Sequence, residues 1–142
     1  MVPAIYGALK MADSRPVARP LSPHLQIYKP MLSMMMSIMH RITGAALFFG
    51  TILFVWWLSA AAHSDGYFDL VQCFFGHWFG RLILFGFTWA LMHHMLGGLR
   101  HFIWDTGRGF SLPTVEKLVW ANFIGSIVLT LLFWVIGYGM LP

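Results

Sequence analysis

Three long stretches of the chain carry no charged side chain: "ITGAALFFGTILFVWWLSAAA" (42–62), "LILFGFTWALMHHMLGGL" (82–99) and "LVWANFIGSIVLTLLFWVIGYGML" (118–141). Each approaches the roughly 20 residues a helix needs to cross about 30 Å of hydrocarbon. None alternates polar and apolar positions as barrel strands do. A helix satisfies its own backbone hydrogen bonds in lipid, so helices are the spanning form these runs predict. The pattern reads as an all-α integral membrane protein with three transmembrane helices in a bundle, over about 32–62, 79–104 and 114–141.

The first helix is expected to begin before its apolar run. After Pro30, "MLSMMMSIMHR" contains no breaker. A helix from Leu32 to Ala62 would be about 46 Å long, more than the hydrocarbon core, so its first turns should lie in the interface. Upstream, Pro16, Pro20, Pro23 and Pro30 predict an extended tail over 1–31, with "LQIY" as apolar surface for docking on a soluble partner. The division is thus a tail, 1–31, and a membrane domain, 32–142.

Composition agrees with the pattern. The 142 residues are 58% hydrophobic and 10% charged, against about 25% charged in soluble domains. The single cysteine, Cys73, excludes an internal disulfide, a C-x-x-C-H haem attachment and a self-contained zinc or iron–sulfur cluster. A pI of 9.6 needs no nucleic acid to explain it, because the basic residues are placed as the positive-inside rule places them. Lys10, Arg15, Arg19, Lys29 and Arg41 precede the first span, and Arg100, Arg108 and Lys117 lie at or within the second connection. The first connection holds Asp65 and Asp69. The N-terminus and second connection are therefore expected on the cytoplasmic or matrix side. No secretory signal or transit-peptide pattern opens the chain.

Against this apolar background "HHMLGGLRH" (93–101) stands out. Ionisable groups within a span are functional candidates. His94 lies about 9 Å along the helix from Arg100 and about 20 Å from Arg81, inside the hydrocarbon zone. Neutral imidazole ligates haem iron. Gly97, Gly98 and Ala90 stand at helical spacings from His94 and offer a clearing for a flat porphyrin, whereas His93 points about 100° away. The same small residues also suit helix–helix contact with a histidine bonding across it, and a proton relay is a third reading. No second histidine at matching depth is evident, since His40 lies nearer the cytoplasmic end and His63 and His77 belong to the opposite surface. On the first helix Ser33, Ser37 and Arg41 recur every four residues and share a face. Serines bonding back to their helix beside a snorkelling arginine would look the same.

"RPLSPHLQIYKP", "SIMHRITG" and "HHMLGGLRHFIWDTG", in this order, resemble the cytochrome b membrane anchors of succinate dehydrogenase, respiratory complex II. The resemblance runs from about Arg19 through the three spans. It implies a succinate:quinone oxidoreductase of four subunits: a flavoprotein carrying FAD, an iron–sulfur subunit, and two small anchors sharing one haem b. His94 takes the place of one axial ligand of the haem iron, the other coming from the second anchor. His40, Arg41 and His101 resemble residues near the haem propionates. Ser37 and Arg41 fall at the site where ubiquinone, the substrate, is reduced. Pro30 departs from the Trp of many mitochondrial members, which removes any aromatic contact there. This chain would hold no complete active site by itself. The expected location is a bacterial inner membrane, with the mitochondrial inner membrane as alternative. A stand-alone b-type electron-transfer cytochrome and a non-redox, histidine-dependent transporter are the competing classes. No residue distinguishes ubiquinone from menaquinone.

Overall fold

The computed structural model describes residues 20–22 and 24–140. Helix α1 is a single turn, His24–Ile27; α2 spans Leu32–His63, α3 Asp65–Gly76, α4 Trp78–Asp105 and α5 Leu112–Gly139. Three of these, α2, α4 and α5, are long and apolar enough to cross a membrane. Helix α4 makes the most extensive packing, against α2, α3 and α5.

Two elements differ from the expectation. The tail was expected to be extended, yet residues 24–27 form a helical turn. No proline lies between Pro23 and Pro30, so that stretch keeps its amide donors and can close a turn. The remainder of the tail before Pro20 lies outside the described residues. The second difference is α3, which occupies the first connection. Ser64 ends α2 and starts α3, its hydroxyl accepting from the Tyr67 amide at 3.4 Å, a helix N-cap. Val71 and Phe75, one turn apart, bury with Ala60 against Leu53, Trp56, Trp57 and Phe74. Trp56 Nε1 donates to the Tyr67 hydroxyl at 2.7 Å and Trp57 Nε1 to Gln72 Oε1 at 3.3 Å. Tryptophan and tyrosine of this kind favour the membrane–water boundary, so α3 closes the end of the bundle opposite the basic connection.

The turn from α4 to α5 depends on glycine. Gly107 and Gly109 have φ of +74° and +80°, a region in which a side chain is strained. Trp104 Nε1 donates to the Gly109 carbonyl at 3.3 Å and pins the loop back onto α4.

The distribution of side chains is inverted relative to a soluble bundle. Phe48, Phe49, Val55, Val128, Phe133 and Val135 face outward, while His93, Thr43, Thr130 and Ser126 are among the most fully buried side chains. Lipid rewards no apolar residue for leaving it, so helix contacts in membranes rely on small and polar groups.

Candidate functional site

The adjacent histidines of α4 face different neighbours. Successive residues diverge by about 100° around a helix, and α4 lies between α2 and α5. His94 turns toward α2. Its Nδ1 is 3.1 Å from the His40 carbonyl oxygen, and its ring stacks on the His40 ring with centroids 4.0 Å apart and planes within 5°. His101 joins the group, 5.4 Å from His40, and packs edge-on against Trp104 at 5.3 Å. The Arg100 guanidinium lies 5.0 Å from the centre of the Trp104 ring.

The close approach of α2 and α4 requires three glycines, one of them Gly50, where a Cβ would collide with the Phe87 ring. A Cβ on Gly44 would stand 2.9 Å from His94 Cε1, and a Cβ on Gly97 would collide with the His40 ring. Gly98 has open space beside it. The clearing expected around His94 is therefore divided: Gly97 receives the His40 ring and only Gly98 is left clear. The helix-contact reading of the small residues holds at Gly97.

The depth comparison also needs refinement. His40 reaches both His94 and His101 from across Gly97, so it shares their level. Face-to-face rings at 4.0 Å leave no room for a metal ion between their nitrogens. The His40 and His94 rings lie stacked in this arrangement. Among the described residues no group of three or more His, Cys, Asp or Glu side chains could hold a metal ion.

His93 turns toward α5 and is fully buried. Asn122 Nδ2 is 3.5 Å from both of its ring nitrogens, and Ser126 Oγ is 3.5 Å from Nδ1. Asn122, Ser126 and Thr130 form a buried stripe on α5. Neither Asn122 nor Ser126 was singled out from sequence, although polar residues at i, i+4 and i+8 in an apolar run are the available signal. Buried polar atoms without a partner include His40 Nδ1, Arg100 Nε and Nη1, and Asn122 Oδ1.

Ser37 and Arg41 are exposed on α2. They lie one turn apart on a shared face, rotated from His40, which points into the bundle. An apolar groove of about 850 Å³ lies further along α2, lined by residues including Phe49, Gly50, Leu53, Trp57, Phe75 and Phe87, with Gln72 the one amide among them. It contains no titratable group.

A bundle of three long apolar helices with histidines at its seams defines the class as a multi-pass membrane protein. The family model for the succinate dehydrogenase/fumarate reductase transmembrane subunit matches residues 15–133, and the chain belongs to that family. It is 46% identical over 122 residues to the succinate dehydrogenase cytochrome b556 subunit of Paracoccus denitrificans, covering 86% of this chain and 94% of that one. To the protein of the same name from Rickettsia typhi it is 43% identical over 117 residues, covering 82% and 91%. To the mitochondrial succinate dehydrogenase cytochrome b560 subunit of Sus scrofa it is 41% identical over 103 residues, covering 70% and 60%.

Proposed function

We propose that this chain is the haem-binding membrane anchor of a succinate:quinone oxidoreductase and forms part of its ubiquinone-reduction site. The observation that carries the haem assignment is the contact between His94 Nδ1 and the His40 carbonyl oxygen at 3.1 Å. A carbonyl can only accept, so Nδ1 carries the proton and Nε2 keeps its lone pair for a metal. Such a contact from the second ring nitrogen is how metal-ligating histidines are held.

A b-type haem fits the residues present. His94 would supply one axial nitrogen, Gly98 leaves space for the ring edge, and the unpartnered His40 Nδ1 would donate to a carboxylate. His40, Arg41 and His101 would hold the propionates. When bound, the haem supplies a one-electron carrier within the membrane. A second iron ligand would come from a second anchor subunit.

Quinone reduction takes two electrons and two protons, and negative charge develops on the carbonyl oxygens. A site for it needs donors and positive charge at those oxygens. Ser37 offers a hydroxyl and Arg41 a permanent cation with several N–H donors. Their exposure near the start of α2 suits electron delivery by an iron–sulfur subunit on the cytoplasmic face. Succinate is oxidised in the flavoprotein subunit, and this chain binds neither FAD nor iron–sulfur clusters. The membrane is a bacterial inner membrane, with the N-terminus inside.

The test is a reduced-minus-oxidised absorption spectrum of the purified complex. A b-type band that disappears in His94→Ala supports the reading; a normal low-spin spectrum in that variant overturns it. Orientation has a separate test, because Cys73 is the chain's single cysteine and is exposed on α3. A membrane-impermeant maleimide should label Cys73 from the periplasmic side. In a Cys73→Ser background, Thr106→Cys should be protected from the same reagent. Reversed accessibility rejects the orientation.

A further inference from the structure

The rotation of α4 about its axis is not set by hydrophobicity. Apolar residues are spread almost evenly around both α4 and α5, and lipid is as apolar as their side chains. No face of α4 is therefore selected by burial alone. Polar contacts and the fit of small residues remain to choose the angle. Toward α2 the choice is made by Gly44, Gly97 and the His94 contact with the His40 carbonyl. Toward α5 it is made by Trp134, whose Nε1 donates to Thr88 Oγ1 at 3.2 Å, and, at the histidine turn, by His93, which is entirely buried and approached by Asn122 and Ser126 at 3.5 Å.

His93 and His94 share one turn of backbone, so whatever holds the first orients the second. Asn122 is itself 4% exposed and Ser126 fully buried. The Ser126 hydroxyl also lies 2.8 Å from the Phe123 carbonyl, which anchors it against its own helix. These are stiff supports on an adjacent helix, on a face of α4 about 100° around its axis from the His40 cluster.

We propose that Asn122 and Ser126 are positioning residues which, by holding His93, fix the rotation of α4 and so the plane in which the His94 ring is presented. This rests on the reading of His94 as an axial haem ligand. Neither residue touches the haem in this assignment. Both act through His93, and His93 acts through the backbone it shares with His94.

The experiment uses the intact complex, purified with its partner subunits, carrying Asn122→Leu, Ser126→Ala, Ser126→Thr, His93→Leu or the His93→Leu/Asn122→Leu pair. Haem content, the reduced absorption band and the low-field electron paramagnetic resonance line of the oxidised haem are measured. That line responds to the orientation of the axial imidazole planes. Expected are wild-type haem content with a shifted, broadened low-field line in Asn122→Leu, a smaller shift in Ser126→Ala, and the wild-type line in Ser126→Thr. The double variant should shift no further than His93→Leu alone. An unshifted line in both Asn122→Leu and Ser126→Ala overturns the proposal, as do additive shifts in the double variant. Should Asn122→Leu fail to assemble, the contrast between Ser126→Ala and Ser126→Thr decides by itself. Failure of the haem reading looks different: His94→Ala would then keep the wild-type spectrum whatever the α5 variants do.

Discussion

The two seams of α4 use the same residue type in opposite ways. Toward α5, His93 is enclosed, and an amide and a hydroxyl approach its ring nitrogens. Toward α2, His94 has one nitrogen placed against a backbone carbonyl, which leaves the other for the proposed ligand, and its stacked neighbour His40 has a buried nitrogen with no partner. A buried polar group without a partner is costly. The α5 seam also has an unpartnered buried atom, Asn122 Oδ1; what sets the α2 seam apart is a histidine oriented by a backbone carbonyl near the open space at Gly98. Burial alone would select His93, the more buried of the two, whereas the proposed assignment selects His94.

The strongest way to break this contrast is to exchange the two roles. His94→Ala should abolish the b-type haem band of the purified complex. His93→Ala should retain the haem and alter only its spectroscopic detail. Loss in His93→Ala with retention in His94→Ala would move the ligand by one residue and invert the assignment of the seams.

Next in size are the glycines of the α2 seam. Gly97→Leu drives a side chain into the His40 ring and should prevent α2 and α4 from closing, seen as loss of the subunit from the membrane. Gly98→Leu meets nothing within the chain. It should leave the subunit in the membrane at normal abundance while lowering haem content. Equal abundance and equal haem in both variants would show that the two glycines are not distinguished in this way.

A smaller effect is expected at Ser37, on the exposed face of α2. Ser37→Ala should lower quinone reduction several-fold while leaving the haem spectrum, and succinate oxidation with an artificial acceptor, unchanged. Normal quinone turnover with unchanged inhibitor sensitivity removes Ser37 from the site. Arg41 is the less clean probe, because it is assigned to both the quinone and the propionates.

The smallest effect belongs to Thr130. Its hydroxyl donates to the Ser126 carbonyl within α5 at 2.7 Å and does not cross to α4. Thr130→Val should therefore cost less than the ~0.6 kcal/mol typical of an interhelical hydrogen bond in a membrane. A larger loss, measured by thermal denaturation of the detergent-solubilised complex, would extend the α5 lock one turn further than His93.

Much of this molecule was legible in its residues. Uncharged length alone predicts the crossings, since lipid penalises charge and unpaired backbone so heavily that composition decides. The motifs around His40 and His94 place the chain among succinate dehydrogenase anchors. Helix α3 was not legible, because its 12 residues are too few to span a bilayer and begin on Asp65. Its Val71–Phe75 face declares itself only once Trp56 and Trp57 stand opposite. The helical turn at His24–Ile27 was hidden by the prolines that flank it.

The sequence by itself determined the number of crossings, the charge asymmetry that orients them, and the presence of two adjacent histidines within a span. These are one-dimensional quantities, set by transfer of each side chain between water and lipid. Only the tertiary structure decided which histidine faces which helix, that Gly97 receives a ring while Gly98 stays open, and that His40 stacks on His94. Those depend on how α4 is rotated between α2 and α5. An evenly apolar helix carries no amphipathic signal from which that angle can be read; a few contacts with other helices set it.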